Sequence, residues 1–331
     1  MRLLAMAALL AGCSGEARHP GEPEAPPSRT PSRPRGAYFP GGSVFYQDVS
    51  RLPARADSDA TIAWLDAAGG WGGGRLQIDF SIEVLRADAA TPLRSFTATD
   101  DFFEPDCDAV PVPVPAAGAI EGERGYACEG DGDCHLIVRH DATMKLYEMW
   151  RADIRDTFRG GCLAVWDMQK VHGPEGRGAQ CTSADAAGLP IAPLLFTADE
   201  VAAGAIDHAV RFILPNERIR HGVFVTPATH STSATSGGDA APPYGAWLRL
   251  RADFSIDALP PGAQIVARAL QRHGMILADG GTIALTAQSD RFTAAKWQGL
   301  LGPRDLAAIP VTAFEVVDMG EPVPYTGDCQ R

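Results

Sequence analysis

The first long amphipathic segment of the chain alternates apolar and polar positions with a period of two. Its apolar set is Leu76, Ile78, Phe80, Ile82 and Val84, and its polar set is Gln77, Asp79, Ser81 and Glu83. Successive side chains of a β-strand point to opposite faces, so this segment predicts a strand with one buried face. The pattern is typical of an antiparallel sheet whose other face contacts water.

Short apolar or alternating runs recur through the rest of the chain. They predict further strands at 135–139, 145–154, 162–168, 209–214, 221–226, 246–256, 282–288 and 311–317. Helix signals are few: Thr197 and Glu200 have capping-box spacing, and residues 261–274 begin with proline, end with glycine and carry apolar residues at helical spacing. The chain is therefore predicted to be mainly β, an antiparallel β-sandwich or jelly roll with two or three short peripheral helices.

The N-terminus combines a short basic start, an apolar run and the sequence Leu10-Ala11-Gly12-Cys13. The apolar run is too short to span a bilayer, which needs about 20 residues, and small residues lead directly into the cysteine. This pattern resembles the lipobox of bacterial lipoproteins, in which the cysteine becomes the first mature residue and is lipid-modified. The alternative is an ordinary secretory signal with an unrelated Cys13.

Three regions follow from the lipobox interpretation. Residues 1–12 are a signal peptide, residues 13–37 are the lipidated cysteine and a proline-rich disordered tether, and residues 38–331 are a single β-rich domain. A cell-envelope location is expected. Ser14 stands where the lipoproteins of some bacteria carry the aspartate associated with inner-membrane retention, which favours the outer membrane.

An even number of cysteines remains once Cys13 is assigned to the lipid. They are Cys107, Cys128, Cys134, Cys162, Cys181 and Cys329. Exported proteins lie in an oxidising compartment, so up to three disulfides are expected. The sequence does not choose among the pairings. A set of free buried thiols is the alternative.

The chain of 331 residues has a formal net charge of −12. An acidic surface argues against nucleic acid, whose phosphates need lysine and arginine, and against peripheral binding to anionic lipid. The predicted membrane contact is therefore the lipid anchor alone. The chain contains no GxSxG, GxxxxGK[ST] or HExxH sequence, so no nucleophile elbow, P-loop or zinc-protease helix is indicated.

Strand parity places two carboxylates among apolar neighbours. Glu148 and Trp150 share a strand face with Leu146, and Asp167 shares one with Val165, on strands close enough in sequence to form a hairpin. A buried carboxylate is costly unless it is paired or used, and two carboxylates across a cleft can cleave a glycosidic bond. Structural salt bridges or a solvated strand face are the alternative.

His135 shares a predicted strand face with Ile137 and is expected to form a His–carboxylate pair with Glu148, although a satisfied core histidine is the alternative. Just before it, Asp131 and Asp133 alternate with glycine and could offer oxygen ligands to calcium. A simple turn explains the same run equally well. No other cofactor or metal is implied.

A second group of candidates lies on the predicted strand 246–256. Trp247, Arg249 and Arg251 share one face, where an aromatic ring could stack on a sugar and the guanidinium groups could pair with carboxylates. Trp150 is a second aromatic candidate for substrate contact. The alternative is a solvated face whose charges pair across strands.

Three further polar residues are candidates for the site. His230 opens a long Ser- and Gly-rich loop, and loops of that length often carry function. Asp185 could be a catalytic acid or the cap of a helix or turn. His208 could contact substrate or be structural.

Several segments follow one another in a distinctive order. They are Asp133-Cys134-His135-Leu136-Ile137-Val138, Leu146-Tyr147-Glu148, Ala164-Val165-Trp166-Asp167, Thr182-Ser183-Ala184-Asp185-Ala186-Ala187-Gly188-Leu189-Pro190-Ile191, Asp199-Glu200-Val201, Ile206-Asp207-His208-Ala209, Pro227-Ala228-Thr229-His230, Gly274-Met275 and Leu277-Ala278-Asp279. This set resembles a family of secreted bacterial proteins that carry a TSADAAGLPI motif and have no established activity. The resemblance extends from Asp133 to the C-terminus and implies one exported domain, but no reaction.

These observations predict a lipid-anchored hydrolase or lyase that acts on a polysaccharide, with Glu148 and Asp167 as its acid–base pair. His135, His230 and Arg249 would orient or neutralise the substrate, and a lyase would depend on His230 and Arg249. One alternative is a non-catalytic lipoprotein that binds glycan or a protein partner. A purely structural envelope lipoprotein is another.

Overall fold

Strands dominate the regular structure of the computed structural model, which describes residues 36–130 and 132–331. The strands of this part of the chain are β1 (Ile78–Ile82), β2 (Leu85–Ala87), β3 (Leu93–Arg94), β4 (Thr97–Ala98), β5 (Val112–Pro113), β6 (Leu136–His140), β7 (Lys145–Met149), β8 (Asp153–Ile154), β9 (Phe158–Gly160), β10 (Leu163–Asp167), β11 (Val210–Leu214), β12 (Val223–Phe224), β13 (Trp247–Leu250), β14 (Met275–Gly280), β15 (Leu285–Gln288), β16 (Phe314–Val316) and β17 (Val323–Pro324). The helices are α1 (Ser58–Ala67), α2 (Ala198–Ala203) and α3 (Pro261–Arg272), and short 3-10 turns span Val44–Tyr46, Ala192–Leu194, Asn216–Arg218 and Val311–Ala313.

Several expectations concern residues outside this part of the chain. The predicted signal peptide, Cys13, the tether up to residue 35 and Asp131 all lie outside the described residues. Within the described residues, no helix has the length and apolarity needed to cross a membrane.

Two sheets contain the longer strands. One has the order β1-β15-β11-β14-β13-β16 and the other the order β10-β7-β6-β2. The mainly-β prediction is confirmed, but both sheets are mixed, because β1 pairs in parallel with β15, β11 with β14, and β2 with β6. Alternating hydrophobicity predicts which strand face is buried, not the direction of its neighbour, and long crossover connections permit the parallel pairs.

The four-stranded sheet lies between two hydrophobic clusters. Leu146 and Trp166 on one face belong to the main core, which also contains Phe212 of the six-stranded sheet. Leu136 and Met149 on the other face belong to a smaller cluster. Since adjacent residues point to opposite faces, strand parity decides which cluster a polar side chain enters.

The two predicted helices are present. Thr197 and Glu200 form the capping box of α2, in which Glu200 N donates to Thr197 Oγ1 at 3.2 Å and Thr197 N donates to Glu200 Oε2 at 2.9 Å. α2 ends at Gly204, whose φ of +87° is a left-handed conformation that favours glycine. α3 begins with Pro261 in its first turn. α1 was not predicted.

Three disulfides link the six remaining cysteines, as expected. The pairs are Cys107–Cys162, Cys128–Cys134 and Cys181–Cys329. The third joins residues 148 positions apart in sequence. It attaches the C-terminal segment to the start of the TSADAAGLPI motif.

Candidate functional site at the 182–192 loop

The loop of residues 182–192 contacts several of the polar residues that the sequence singles out. His135 Nε2 donates to the carbonyl oxygen of Ala184 at 3.1 Å. His230 Nδ1 donates to the carbonyl oxygen of Ala186 at 2.7 Å. The loop contains the TSADAAGLPI motif, so this motif is the segment around which the candidate residues gather.

Gly188 shows why this loop needs glycine at one position. Its φ is +75°, and a Cβ atom there would lie 2.2 Å from Thr229 Oγ1 and 2.6 Å from the carbonyl oxygen of Cys181. Either feature disfavours a side chain. The glycine therefore allows the segment that carries His230 to approach the loop closely.

A network of charged and polar residues, most of them buried, lies beside the loop. We call it the Arg211 cluster; its members are Glu121, His135, Asp185, Arg211, Asp279 and Thr286. Arg211 Nε and Nη2 donate to the two carboxylate oxygens of Asp185 at 3.0 and 2.9 Å. Nη2 also donates to Asp279 Oδ2 at 3.0 Å, and Nη1 donates to Thr286 Oγ1 at 2.9 Å. Asp185 is thus the partner of a buried guanidinium and not a helix cap.

The two carboxyl groups bound to Arg211 differ in exposure and in charge. The side chain of Asp185 is 0% exposed, whereas that of Asp279 is 26% exposed. One guanidinium compensates only one of two neighbouring negative charges. Burial and the adjacent Asp185 carboxylate raise the pKa of Asp279 well above its usual range, despite the opposing effect of Arg211. Asp279 is therefore the partly exposed carboxyl group of the two, and its raised pKa favours the protonated form.

His135 and Glu121 form the second part of the cluster. His135 Nδ1 donates to Glu121 Oε2 at 2.5 Å, and because both ring nitrogens face acceptors, the ring is an imidazolium. Burial opposes that charge, but the Glu121 carboxylate outweighs it and raises the pKa of His135 to about 9. Burial likewise opposes ionisation of Glu121, yet the charge of His135 lowers its pKa. The expected His–carboxylate pair is present, but its carboxylate is Glu121 and not Glu148.

This pair makes stability depend on pH. The raised pKa of His135 stabilises the folded state fully below the unfolded pKa of about 6.5, and this contribution is lost as pH rises through about 9. The lowered pKa of Glu121 stabilises the folded state above the unfolded pKa of about 4.3.

In urea unfolding, the Glu121→Gln variant should therefore be less stable than the wild type by about 2–3 kcal/mol at pH 6, and the difference should shrink by pH 10. Asp167→Asn is the control, and its difference from the wild type should not change over this range. A Glu121→Gln difference that stays constant from pH 6 to 10 would contradict the ion pair.

Glu148 holds the far end of the loop. Its fully buried carboxylate accepts hydrogen bonds from Ile191 N at 3.0 Å, Ala192 N at 2.7 Å and Trp166 Nε1 at 2.9 Å. Burial raises the pKa of Glu148 to about 7. All of these contacts are to the protein itself, so Glu148 positions the loop.

Asp167 does not share a cleft with Glu148. Glu148 pairs with Ala164 across β7 and β10, so Asp167, three residues further on, points to the opposite face of the sheet. It accepts a hydrogen bond from Lys145 Nζ at 2.8 Å, and its side chain is 41% exposed. The two residues therefore cannot form the acid–base pair predicted from the sequence. The residue spacing correctly predicts which residues of each strand share a face. It does not predict the register between the two strands, which decides whether their chosen residues face the same side.

His230 is held in a neutral form by the C-terminal segment. The Tyr325 hydroxyl donates to His230 Nε2 at 2.8 Å while Nδ1 donates to the loop. Burial lowers the pKa of His230. The residue lies at the predicted loop, but both ring nitrogens are bonded within the protein.

The predicted sugar-binding face of residues 247–251 is not a free surface, because all four residues of β13 are buried. Trp247 Nε1 donates to His273 O at 2.7 Å, and Arg249 Nε donates to Glu315 Oε1 at 2.9 Å. Arg251 is partly exposed and donates to Asp59 Oδ1 at 2.9 Å. β13 is an inner strand of its sheet and is covered on both sides, which alternation along a short segment does not reveal.

The remaining substrate-binding candidates are also bonded within the protein. Trp150 Nε1 donates to the Asp133 side chain. His208 is buried with Nε2 3.2 Å from Glu200 Oε1 and Nδ1 2.7 Å from the carbonyl oxygen of Ala209. Burial opposes protonation of His208, but the Glu200 carboxylate raises its pKa.

Within the described residues, few side chains are arranged to bind a metal ion. Two groups there bring three ligand-type side chains together: Asp106 with Cys181 and Cys329, and Glu123 with Cys128 and Cys134. In both groups the cysteines form a disulfide, so neither can supply thiolates. Of the two residues suggested for calcium, Asp131 lies outside the described residues and Asp133 accepts the Trp150 hydrogen bond.

Glu121, Arg211 and Asp279 were not predicted from the sequence. Arg211 interrupts the apolar run AVRFIL and Asp279 ends the run MILAD. A charge in a buried strand needs a partner, and that signal could have identified both residues. Glu121 lies in a mixed loop segment that carries no such signal.

No protein-family model, curated protein or solved structure matches the chain. The chemistry of the Arg211 cluster therefore carries the functional conclusion.

Proposed function

We propose that the protein is an exported, lipid-anchored glycoside hydrolase that cleaves a polysaccharide by acid–base chemistry at the Arg211 cluster. The observation that carries this proposal is the division of the cluster into accessible and buried members. Asp279 and Glu121 have side chains 26% and 21% exposed, whereas His135, Asp185 and Arg211 are almost fully buried. The accessible carboxyl groups are thus held in place by a buried charged network.

The two accessible groups are suited to different roles. The raised pKa of Asp279 favours its protonated form, which would donate a proton to the glycosidic oxygen as the bond to the leaving sugar breaks. Glu121 is ionised by His135 and would take a proton from the attacking water, or attack the sugar itself. After donation, the Asp279 carboxylate is stabilised by Arg211 Nη2 and by Gly280 N, which donates to Asp279 Oδ1 at 2.7 Å. If Glu121 acts as the base, it then loses its new proton to water and Asp279 regains one from water. If Glu121 attacks the sugar, a water molecule breaks the glycosyl–Glu121 bond and gives its proton to Asp279, which restores both groups.

Two observations favour hydrolysis over the lyase alternative. A lyase was expected to hold a uronate with Arg249, but that guanidinium is 9% exposed and bonded to Glu315. His230, its expected base, has both nitrogens bonded within the protein. Export is supported by the lipobox sequence and by the three disulfides, which persist in oxidising compartments.

The test is sugar release from a panel of polysaccharides by the wild type and by two variants. Asp279→Asn and Glu121→Gln should each reduce release by about hundredfold or more, because each removes a proton-transfer group. Asp167→Asn, an exposed carboxylate on another surface, should leave release unchanged. The wild-type rate should fall at high pH as Asp279 loses its proton and at low pH as Glu121 gains one.

Two outcomes would count against this function. One is release that both variants retain. The other is tight binding of oligosaccharides by the wild type with no release from any member of the panel, which would favour a non-catalytic glycan-binding lipoprotein.

A further inference from the structure

A cleft of about 400 Å³ lies apart from the Arg211 cluster. Its lining includes Tyr38, Arg86, Arg139, Leu195, Gln288 and Phe292, and none of the six members of the Arg211 cluster. The volume falls in the range of small-molecule sites, roughly 300–1,000 Å³. The lining combines an apolar surface with a few polar groups, as such sites do.

Two arginines stand side by side in this cleft. Arg86 of β2 pairs in register with Arg139 of β6, so their side chains lie on the same face of neighbouring strands. Adjacent like charges repel each other. One carboxylate compensates both: Arg139 Nε donates to Asp141 Oδ1 at 2.6 Å, and Arg86 Nη1 donates to Asp141 Oδ2 at 3.2 Å. The pair therefore retains one net positive charge.

The arginines still have hydrogen-bond donors to offer. Neither Nη group of Arg139 forms a hydrogen bond with another residue in the described ranges, although its side chain is only 17% exposed. The guanidinium lies 5.2 Å from the ring centroid of Tyr38, which holds it in place. This guanidinium is half-buried, held in position and has N–H donors without protein partners, so it is suited to binding both oxygens of a carboxylate.

Gln288 supplies a second, independent observation. The residue is only 8% exposed, and within the part of the chain that the structure describes its side-chain amide forms no hydrogen bond. Its side-chain oxygen and nitrogen are not fully shielded, so the amide is accessible from the cleft and can bond a ligand or water. An amide can both donate and accept, which suits a sugar hydroxyl.

The lining of the cleft also contains acidic residues. Glu200 is paired with His208 Nε2 at 3.2 Å, and Asp199 and Asp207 are two further acidic residues of the lining. Asp199 accepts hydrogen bonds from Ala295 N at 2.6 Å, and Asp207 lies 3.6 Å from Arg272 Nη1. An anionic group is therefore favoured beside the two arginines, and hydroxyl groups are favoured beside the carboxylates.

We propose that this cleft binds a carboxylate-bearing sugar of the uronate type, with its carboxylate on Arg86 and Arg139 and a hydroxyl group on Gln288. The site is independent of the proposed hydrolase centre. It would bind an acidic saccharide whether or not the Arg211 cluster is catalytic.

Calorimetric titration of the folded domain with digalacturonate tests the proposal. The wild type should bind it at one site, and it should bind the neutral disaccharide cellobiose at least tenfold more weakly. Arg86→Gln and Arg139→Gln should each weaken digalacturonate binding by about tenfold or more, since each removes a charge-assisted contact. Arg86 is 68% exposed, so its replacement should not disturb folding. Gln288→Ala should weaken binding severalfold.

Two control variants make the result specific. Arg75→Gln removes an exposed arginine outside the cleft and should leave the affinity unchanged. Asp279→Asn should also leave it unchanged, although it should reduce sugar release by about hundredfold or more, so this variant separates the two proposals. Absence of digalacturonate binding, equal binding of cellobiose, or full affinity in both Arg86→Gln and Arg139→Gln would overturn the assignment.

Discussion

Replacing Arg211 by methionine is expected to lower the free energy of unfolding by about 3–5 kcal/mol at neutral pH. The reason is the position of Asp185, whose 0% exposed carboxylate receives two hydrogen bonds from the Arg211 guanidinium. Removing the cation leaves a negative charge in the protein interior without compensation. Urea unfolding of the wild type and the variant measures the loss.

Two companion variants distinguish this charge effect from a general packing defect. Adding Asp185→Asn to Arg211→Met should recover part of the stability, because the uncompensated charge is gone. Arg272→Gln removes an exposed ion pair with Asp48 and should cost less than about 1 kcal/mol. A loss below about 1 kcal/mol for Arg211→Met, or no recovery in the double variant, would show that the network does not depend on this guanidinium.

Removing the Cys181–Cys329 disulfide is expected to cost about 4–5 kcal/mol of stability, because the chain-entropy contribution of a cross-link grows with loop length. The two cysteines are 148 positions apart. The matched control is Cys128→Ser with Cys134→Ser, whose cysteines are 6 positions apart and whose loss should be about 2 kcal/mol. Unfolding in urea under non-reducing conditions compares the two double variants.

The Cys181–Cys329 bond also determines what surrounds the 182–192 loop. It attaches the C-terminal segment beside His230, where Tyr325 donates its hydrogen bond.

Equal losses of stability for the two disulfide variants, or a larger loss for the short loop, would contradict the loop-length argument. The long cross-link would then stabilise the protein through native contacts and not through the unfolded chain.

The candidate site was partly predictable. Local pattern alone predicts four functional residues, and all four bond with or belong to the 182–192 loop: His135, Asp185, Glu148 and His230. Their roles were not predictable, because a role depends on which distant group each side chain meets. His135 meets Glu121, 14 positions earlier, and Asp185 meets Arg211, 26 positions later.

The pairing of Glu148 with Asp167 illustrates the limit of local reasoning. The parity of each strand follows from the spacing of its own residues. Whether two strands present chosen residues on the same face depends on their register, and one residue of difference reverses the answer. Trp247 and Arg249 show a second limit, since alternation along a strand cannot reveal that its sheet is covered on both sides.

By itself, the sequence determined the properties that depend on neighbouring residues: the predominance of strands, the capping box of α2 and the number of cysteines available for disulfides. These follow from side-chain direction, helix-end hydrogen bonding and simple counting. Only the tertiary structure decided the disulfide pairing, the parallel strand neighbours and the joining of Arg211 to both Asp185 and Asp279. Those depend on contacts between segments far apart in the chain, where the burial of charge and the register of strands are settled by the whole fold.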